Sequence, residues 1–358
     1  MDFEKMNGIK LVFDIDDTIC NNKNRDYENA EPKQDVIDKI NKLHDQGATI
    51  TLYTSRGMVS CNGDLEKIVA KNKTILEKWL DKNNVKYDNL IFGKPLGDMY
   101  IDDKAMNVKD FLKQDFEILT GKSGYKVIRL GNIVKKEMSD ENYKKLMNWY
   151  KKSDGIAKNP AIISNLYSTI YIEYIDGDLA LNCLDFDLLN KLIAQIETFG
   201  QKKYAEFDKE IIYDKLDKHK SDTDIEWNKI VENCKEKISN LSMNKFASLS
   251  HQDFTLSNII KKGEEVYLLD SLFDERASSY LLDFAKLKMS LDGYEERFLG
   301  YKKPDEKYLK YFENYLQEKG ILEYVNIFEY MYIIRLYKYN DNKEKVKEFA
   351  KYVRRNIK

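Results

Sequence analysis

Residues 249–270 decide how the chain is read: Leu249-Ser250-His251-Gln252-Asp253-Phe254-Thr255-Leu256-Ser257-Asn258-Ile259-Ile260, a Lys-Lys-Gly-Glu-Glu turn, then Val266-Tyr267-Leu268-Leu269-Asp270. The two apolar runs flanking Gly263 predict a short strand pair, with an acid at each end of the hairpin. Asp253 can accept a proton from a substrate hydroxyl and aim the oxygen at a γ-phosphate. Asn258 and Asp270 are oxygen donors of the kind that hold the Mg²⁺ ions travelling with ATP. Any one of them alone would pass for a polar loop residue. The spacing His-x-Asp-x4-Asn, then an apolar strand, then Asp, gives them a joint meaning. His251 is expected to be a hydrogen-bonding brace.

Working outward, the stretch before it divides in two. Ser123–Leu130 and Ile133–Glu137, around Gly131-Asn132, predict a β-hairpin. Before it lies Gly121-Lys122-Ser123-Gly124, a glycine-containing loop able to cover phosphates, with Ser123 the candidate contact. A helix over 140–152 and two strands, 160–164 and 169–174, complete a small sheet. Beyond Asp176-Gly177 the pattern is helical: 185–199, 205–215 and 225–241, then 303–318 and 321–339. A small antiparallel sheet followed by a helical lobe is the layout of a two-lobed kinase. Tyr294, Glu295 and Glu296 are candidates to line an acceptor pocket, suiting a cationic alcohol or a sugar.

These residues resemble the aminoglycoside phosphotransferase, choline kinase and fructosamine kinase group from about Leu119 to Lys358. The resemblance implies that Lys135, or Lys136 beside it, holds ATP phosphates, with Glu141 as its ion-pair partner. It makes Tyr171–Gly177, with Glu173, the hinge that meets the adenine, and Asp283 in Leu282-Asp283-Phe284-Ala285-Lys286 a structural residue. The segment Ser271–Glu275 departs from the group's usual continuation.

At the other end of the chain, Leu11-Val12-Phe13 reads as a buried parallel strand running into Asp14, Asp16, Asp17 and Thr18. Acids gathered at a strand end are costly unless a cation joins them, and Mg²⁺ is the expected ion. A helix over 34–46, a strand over 48–53, a helix over 64–82 and a strand over 89–92 follow, with a further strand expected at Met99-Tyr100-Ile101. Alternating strands and helices imply a three-layer α/β sheet. Asp14, Thr54, Lys94 and Asp102-Asp103 each follow an apolar strand and would meet at one sheet edge. The set suits phosphoryl transfer. Asp14 would be the nucleophile and Asp16 the general acid and base; Thr54 and Lys94 would grip the phosphoryl oxygens. Asp102 and Asp103 would complete the metal site.

The stretches Asp14–Thr18, Tyr53–Gly57, Phe92–Pro95 and Tyr100–Lys104 resemble the haloacid dehalogenase (HAD) phosphatases, most closely the small capless ones encoded with surface-polysaccharide and capsule genes. The expected fold class is therefore α/β: a Rossmann-like HAD domain over 1–118, then a protein-kinase-like domain over 119–358, with its small lobe at about 119–177 and its helical lobe at about 178–358. The implied protein is a bifunctional Mg²⁺-dependent phosphatase and ATP-dependent kinase acting on a small phosphate ester and a small alcohol. The alternative is that one half alone is catalytic, the kinase-like half being a nucleotide-binding regulator.

Composition narrows the remaining classes. Charged residues make up 34% of 358, yet the formal net charge is −2, so no global basic field argues for nucleic acid. Cys20, Cys61, Cys183 and Cys234 lack metal-type or redox-type spacing and read as reduced thiols of a cytoplasmic protein. No run reaches membrane-spanning length, and the N-terminus lacks a signal-peptide pattern.

Overall fold

A computed structural model describes residues 6–22, 26–119, 127–221, 225–293 and 301–336. Ser123, Tyr294, Glu295, Glu296 and the basic stretch 341–358 lie outside the described residues. No helix among them is long and apolar enough to cross a membrane. Packing divides the chain into two compact units, Met1–Met138 with Ile162–Tyr174, and Ser139–Ala161 with Ile175–Lys358. These units differ from the division at 118/119 that the sequence suggests.

The first unit starts from a parallel sheet ordered β1 (Lys10–Phe13), β4 (Thr49–Thr54), β5 (Asn89–Phe92), with Phe13 opposite Leu52 and Thr54 opposite Phe92. A two-stranded ribbon, β2 (Cys20–Asn21) and β3 (Glu31–Pro32), precedes the first crossover helix. That helix, α1 (Gln34–Asp45), buries Val36, Ile37, Ile40 and Leu43, the stripe its spacing predicts. The second, α2 (Leu65–Lys82), is capped by the Asp64 carboxylate and buries Ile68, Leu76, Trp79 and Leu80. Both crossovers step the same way across the sheet, and right-handed connections then place both helices on one face. That face carries the buried Ile50, Leu52 and Thr54, while Val12 and Ile91 on the other are 64% and 47% exposed. Among the described residues the other face is therefore open at Val12 and Ile91.

After β5 the expected strand at Met99–Ile101 is absent. Residues 93–107 are irregular, and Met99 and Ile101 are exposed. A short helix, α3 (Val108–Lys113), leads into an antiparallel five-stranded sheet ordered β6 (Phe116–Leu119), β7 (Val127–Leu130), β8 (Ile133–Glu137), β10 (Thr169–Glu173), β9 (Ile162–Leu166). Cross-strand pairing puts Phe116, Ile118, Ile128, Leu130, Lys135 and Tyr171 on one face of this sheet. Ile128 is buried in the same core as Phe13, Ile50 and Trp79, with Phe116, Ile118 and Leu130 packed against it. Edge-on contacts from Phe13 to Phe111 and from Phe111 to Phe116 continue that core. Lys39 ties the join: its ammonium donates to the carbonyls of Phe111 and Gln114 and lies 4.8 Å from the Phe111 ring centre.

The second unit is mainly helical. It comprises α4 (Asp140–Ser153), α5 (Phe186–Gln201), α6 (Lys209–Asp217), α7 (Ile225–Ser239), α8 (Tyr280–Leu291), α9 (Glu306–Glu318) and α10 (Leu322–Leu336). A three-stranded sheet joins β11 (Asp178–Leu179), β12 (Ile259–Lys262) and β13 (Glu265–Leu268), the last two forming the predicted hairpin. At its centre lies α8, in which every residue from Leu281 to Leu291 is buried, Asp283, Lys286, Lys288 and Ser290 included. Such a helix has no solvent face to carry charge, so each charge must find a partner inside. Lys288 finds Glu329 on α10 at 2.7 Å, and the Ser290 hydroxyl accepts the Leu256 amide at 3.0 Å.

Replacing Lys39 by Met strips the ammonium from the carbonyls that end α3. Amide exchange across 108–119 should quicken by about an order of magnitude, the equivalent of ~1.4 kcal/mol of local stability. Unchanged protection by exchange mass spectrometry would count against this account of the join.

Candidate functional sites

The loop before β12 is held from below by α8. The buried Asp283 carboxylate accepts the His251 and Gln252 amides, both at 2.7 Å, and the Ser250 hydroxyl at 3.1 Å. These bonds pull the main chain into a tight bend in which Gln252 takes φ +63°, a left-handed conformation unusual for a side-chain-bearing residue. The Gln252 amide group completes the bend by donating to the Asp274 carbonyl at 2.9 Å. Burial pushes the Asp283 carboxyl up to about 7, while the donors from His251, Gln252 and Ser250 pull the other way.

The bend presents Asp253. One of its carboxylate oxygens lies 2.9 Å from the Lys286 ammonium, and the other accepts the Asn258 side-chain amide at 2.9 Å. Burial works against its charge, but Lys286, with Arg335, holds the carboxyl below the usual carboxylate range. It therefore stands ionised, ready to receive a proton. The Asn258 amide also donates to the Asp253 carbonyl at 3.1 Å, which turns the Asn258 side-chain oxygen to other ligands. The Leu269 amide donates to the Asn258 carbonyl at 2.9 Å and so brings Asp270 alongside. Asp270 is exposed and has φ +60°. Amide and carboxylate oxygens are the donors Mg²⁺ selects, so Asn258 and Asp270 fit that ion chemically.

The His251 ring is buried with its nitrogens toward the main chain of Asp253 and Leu269, as expected of a brace, and Trp149 and Phe254 meet it edge-on with centres 5.0 and 6.0 Å away. Its main chain braces the loop as well, through Asp283 and through the Ser271 hydroxyl, which donates to its carbonyl at 2.9 Å. Burial lowers its pKa to about 4, so the ring is neutral near pH 7.

On the five-stranded sheet, Lys135 and Lys136 point to opposite faces. Lys135 lies on the Ile128 face that packs into the first unit's core; its ammonium is 2.6 Å from Glu137. Lys136 shares the other face with Val134 and Ile170 and is buried. Glu141 is exposed and pairs with Lys145 at 2.5 Å, so the expected Lys135–Glu141 pair gives way to two local ones. Glu173 ends β10, where the chain passes from one unit to the other.

In the first unit, three of the four expected strand-end groups converge. The Lys94 ammonium is 2.9 Å from an Asp14 carboxylate oxygen, and its amide donates to the Thr54 carbonyl at 3.1 Å. Thr54 is buried, its hydroxyl accepting the Arg56 amide at 3.1 Å. Asp16 faces the buried Arg56 guanidinium, which reaches both of its oxygens at about 3 Å. Arg56 lies in the Tyr53–Gly57 stretch, but nothing in the sequence tied it to Asp16. Asp102 and Asp103 do not join the cluster. They are exposed, Asp102 accepting the Lys104 amide at 2.7 Å; of the residues expected to carry them as a strand, Met99 and Ile101 are exposed and Tyr100 lies with its ring 4.1 Å from the Lys94 ammonium. Among the described residues no three His, Cys, Asp or Glu side chains are grouped to hold a metal ion. Asp14 and Asp16 are the carboxylates left at the strand end to meet a cation, with Asp102 and Asp103 exposed.

No protein-family model and no curated protein matches the sequence. Among solved structures, an amicoumacin kinase in complex with AMP-PNP and Ca²⁺ matches 68% of this chain and 87% of its own, at 13% identity and a TM-score of 0.50. A Plasmodium vivax ethanolamine kinase matches 82% of this chain and 91% of its own, at 14% identity and a TM-score of 0.48. A structural-genomics target from Vibrio cholerae is 34% identical over 30% of this chain and 89% of its own, with a TM-score of 0.29. The amicoumacin kinase match shows that the chain shares that protein's fold over about two thirds of its length.

Asp283→Ala would leave three buried donors without an acceptor. It should lower the second unit's stability by about 3 kcal/mol or more, read from the unfolding midpoint by Trp227 fluorescence. A midpoint unmoved by the change would remove Asp283 from this role. His251 gives a pH signature. Its folded pKa of about 4 lies below the ordinary 6.5, so the unfolded chain takes up a proton first as the pH falls. Its contribution is intact above 6.5 and is lost progressively down to 4, about 3 kcal/mol at full extent. The stability difference between wild type and His251→Leu should shrink across that window; a flat difference would argue against a neutral buried ring.

Proposed function

We propose that residues 119–358 form an ATP-dependent kinase acting on the hydroxyl of a small molecule. The observation that carries the reading is the ionised Asp253, clamped between Lys286 and Asn258 on a loop that Asp283 holds in place, in a chain that shares the amicoumacin kinase's fold. Asp253 takes the acceptor's hydroxyl proton as the oxygen bonds to the γ-phosphorus, and the bond to the bridging oxygen breaks to release ADP. A divalent cation held by Asn258 and Asp270 would neutralise charge on the phosphates. Lys136, on the face of its sheet away from the first unit's core, is the better candidate of the two lysines for the nucleotide phosphates.

A second activity is favoured by one further observation, the Asp14–Lys94 contact beside Thr54. We infer a phosphatase over residues 1–118, in which Asp14 attacks a phosphate ester to give an aspartyl-phosphate that water then hydrolyses. Lys94 and Thr54 would steady the phosphoryl group, and Asp16, oriented by Arg56, would move the proton. The likeness of the Tyr53–Gly57 and Phe92–Lys104 stretches to polysaccharide-linked phosphatases suggests precursor metabolism as the setting. Two such centres working on one phosphomonoester would only consume ATP, so they belong to different positions or successive intermediates.

ADP and phosphate released by the full chain should be measured separately. Asp14→Asn should lower hydrolysis of p-nitrophenyl phosphate by ~10²-fold or more while ATP binding persists, and Asp253→Asn should do the converse to acceptor phosphorylation. Loss of both activities in either variant would contradict two independent centres.

A further inference from the structure

The loop that leaves β5 folds back over Lys94. Gly93 turns the chain at φ +93°, a conformation that glycine takes without strain, and the Tyr53 hydroxyl donates to its carbonyl at 3.3 Å. Further along the same loop, the Tyr100 hydroxyl donates to the Pro95 carbonyl at 2.5 Å, closing the loop on the residue after Lys94. The closed loop sets the Tyr100 ring centre 4.1 Å from the Lys94 ammonium, within cation–π range. The same ammonium is 2.9 Å from an Asp14 carboxylate oxygen. Lys94 is therefore held by an anion and by a ring.

Burial does not account for where the ring lies. Tyr100 is half-exposed, and Met99 and Ile101 beside it are more exposed still. Two polar contacts place it, one to Lys94 and one to the Pro95 carbonyl. The neighbouring cation is treated alike. Tyr27, on a different segment, sets its ring centre 4.5 Å from the Arg56 guanidinium, which in turn meets Asp16 at 2.9 Å. Each cation of the cluster thus has one carboxylate and one aromatic ring. A lysine is a compact charge on a flexible stem, and holding its tip in one place needs a lasting partner. Asp14 cannot be that partner throughout a phosphoryl transfer, because its carboxylate gives up its charge on bonding to phosphorus. The ring attracts the ammonium through its quadrupole before and after that step.

Resting on the phosphatase reading above, we propose that Tyr100 is a positioning residue for Lys94: its ring keeps the ammonium at the strand end while negative charge passes from the Asp14 carboxylate to the phosphoryl oxygens. The chemical step is unchanged by this. An Asp14 oxygen bonds to phosphorus, and the ester bond breaks with its electron pair going to the departing alcohol oxygen. That oxygen takes a proton by way of Asp16, and water then releases phosphate and restores the carboxylate. Tyr100 exchanges no atom or proton.

The test uses the full chain with Mg²⁺ and p-nitrophenyl phosphate. Tyr100→Leu should lower kcat by about fivefold and move KM by less, because Asp14 still pairs with Lys94 before the reaction begins. Tyr100→Phe keeps the ring and should keep most of the rate. In a chain that already carries Lys94→Gln, Tyr100→Leu should cost nothing more. Where Lys94→Gln leaves no measurable rate, the same cycle is read from calorimetric affinity for beryllium trifluoride, which bonds to a carboxylate as a phosphoryl group does. Tyr100→Gln stands in should Tyr100→Leu fail to fold. Wild-type kcat in Tyr100→Leu, an equal loss in Tyr100→Phe, or the full loss persisting beside Lys94→Gln overturns the role of Tyr100 and leaves the phosphatase reading standing. A wild-type chain that neither hydrolyses p-nitrophenyl phosphate nor binds beryllium trifluoride overturns the phosphatase reading itself.

Discussion

A single buried carboxylate organises the second unit. Asp283 sits on a helix with no exposed face, and its charge is tolerated there because three donors from Ser250, His251 and Gln252 converge on it. The same bonds hold Gln252 in a left-handed bend that aims Asp253 outward. One turn along, Lys286 meets that aspartate. Two carboxylates a few residues apart in space are thereby driven in opposite directions, Asp283 up by burial and Asp253 down by Lys286. Such separation of neighbouring acids is how one protein frame assigns one group to structure and another to chemistry.

The first unit reaches a reactive cluster by another route. Its parallel strands end at one edge, so groups placed after β1, β4 and β5 meet there without a dedicated brace. Lys94 reaches Asp14 because Phe92 ends β5 opposite Thr54. A shared core joins this layer to the five-stranded sheet, and that join divides the two neighbouring lysines, Lys135 facing the core and Lys136 facing away. In a strand, one residue of offset reverses the face, so adjacency in sequence means opposition in space.

Charge in this chain is balanced overall and separated locally. A net charge of −2 over 358 residues gives no hint that Lys286, on a helix without a solvent face, meets Asp253. Nor does it reveal that Arg56 is spent on Asp16. A field that a ligand feels depends on which charges are left over after neighbours pair, and pairing is a property of packed side chains.

The sequence by itself determined the periodic features: the stripe on α1, the hairpin at Gly263 and the strand ends beside Asp14, Thr54, Lys94 and Asp270. These are local or nearly local, set by side-chain spacing, caps and turns. Tertiary structure alone decided the rest. It placed both crossover helices on one face and left Met99–Ile101 unpaired as a strand, with Asp102 and Asp103 exposed. It packed the His251 ring against Trp149 and gave the loop brace to Asp283. The physical reason is common to all of these. A strand needs an edge, a buried charge needs a counter-charge, and a ligand site needs groups from distant segments, and none of those partners can be read from the residues beside them.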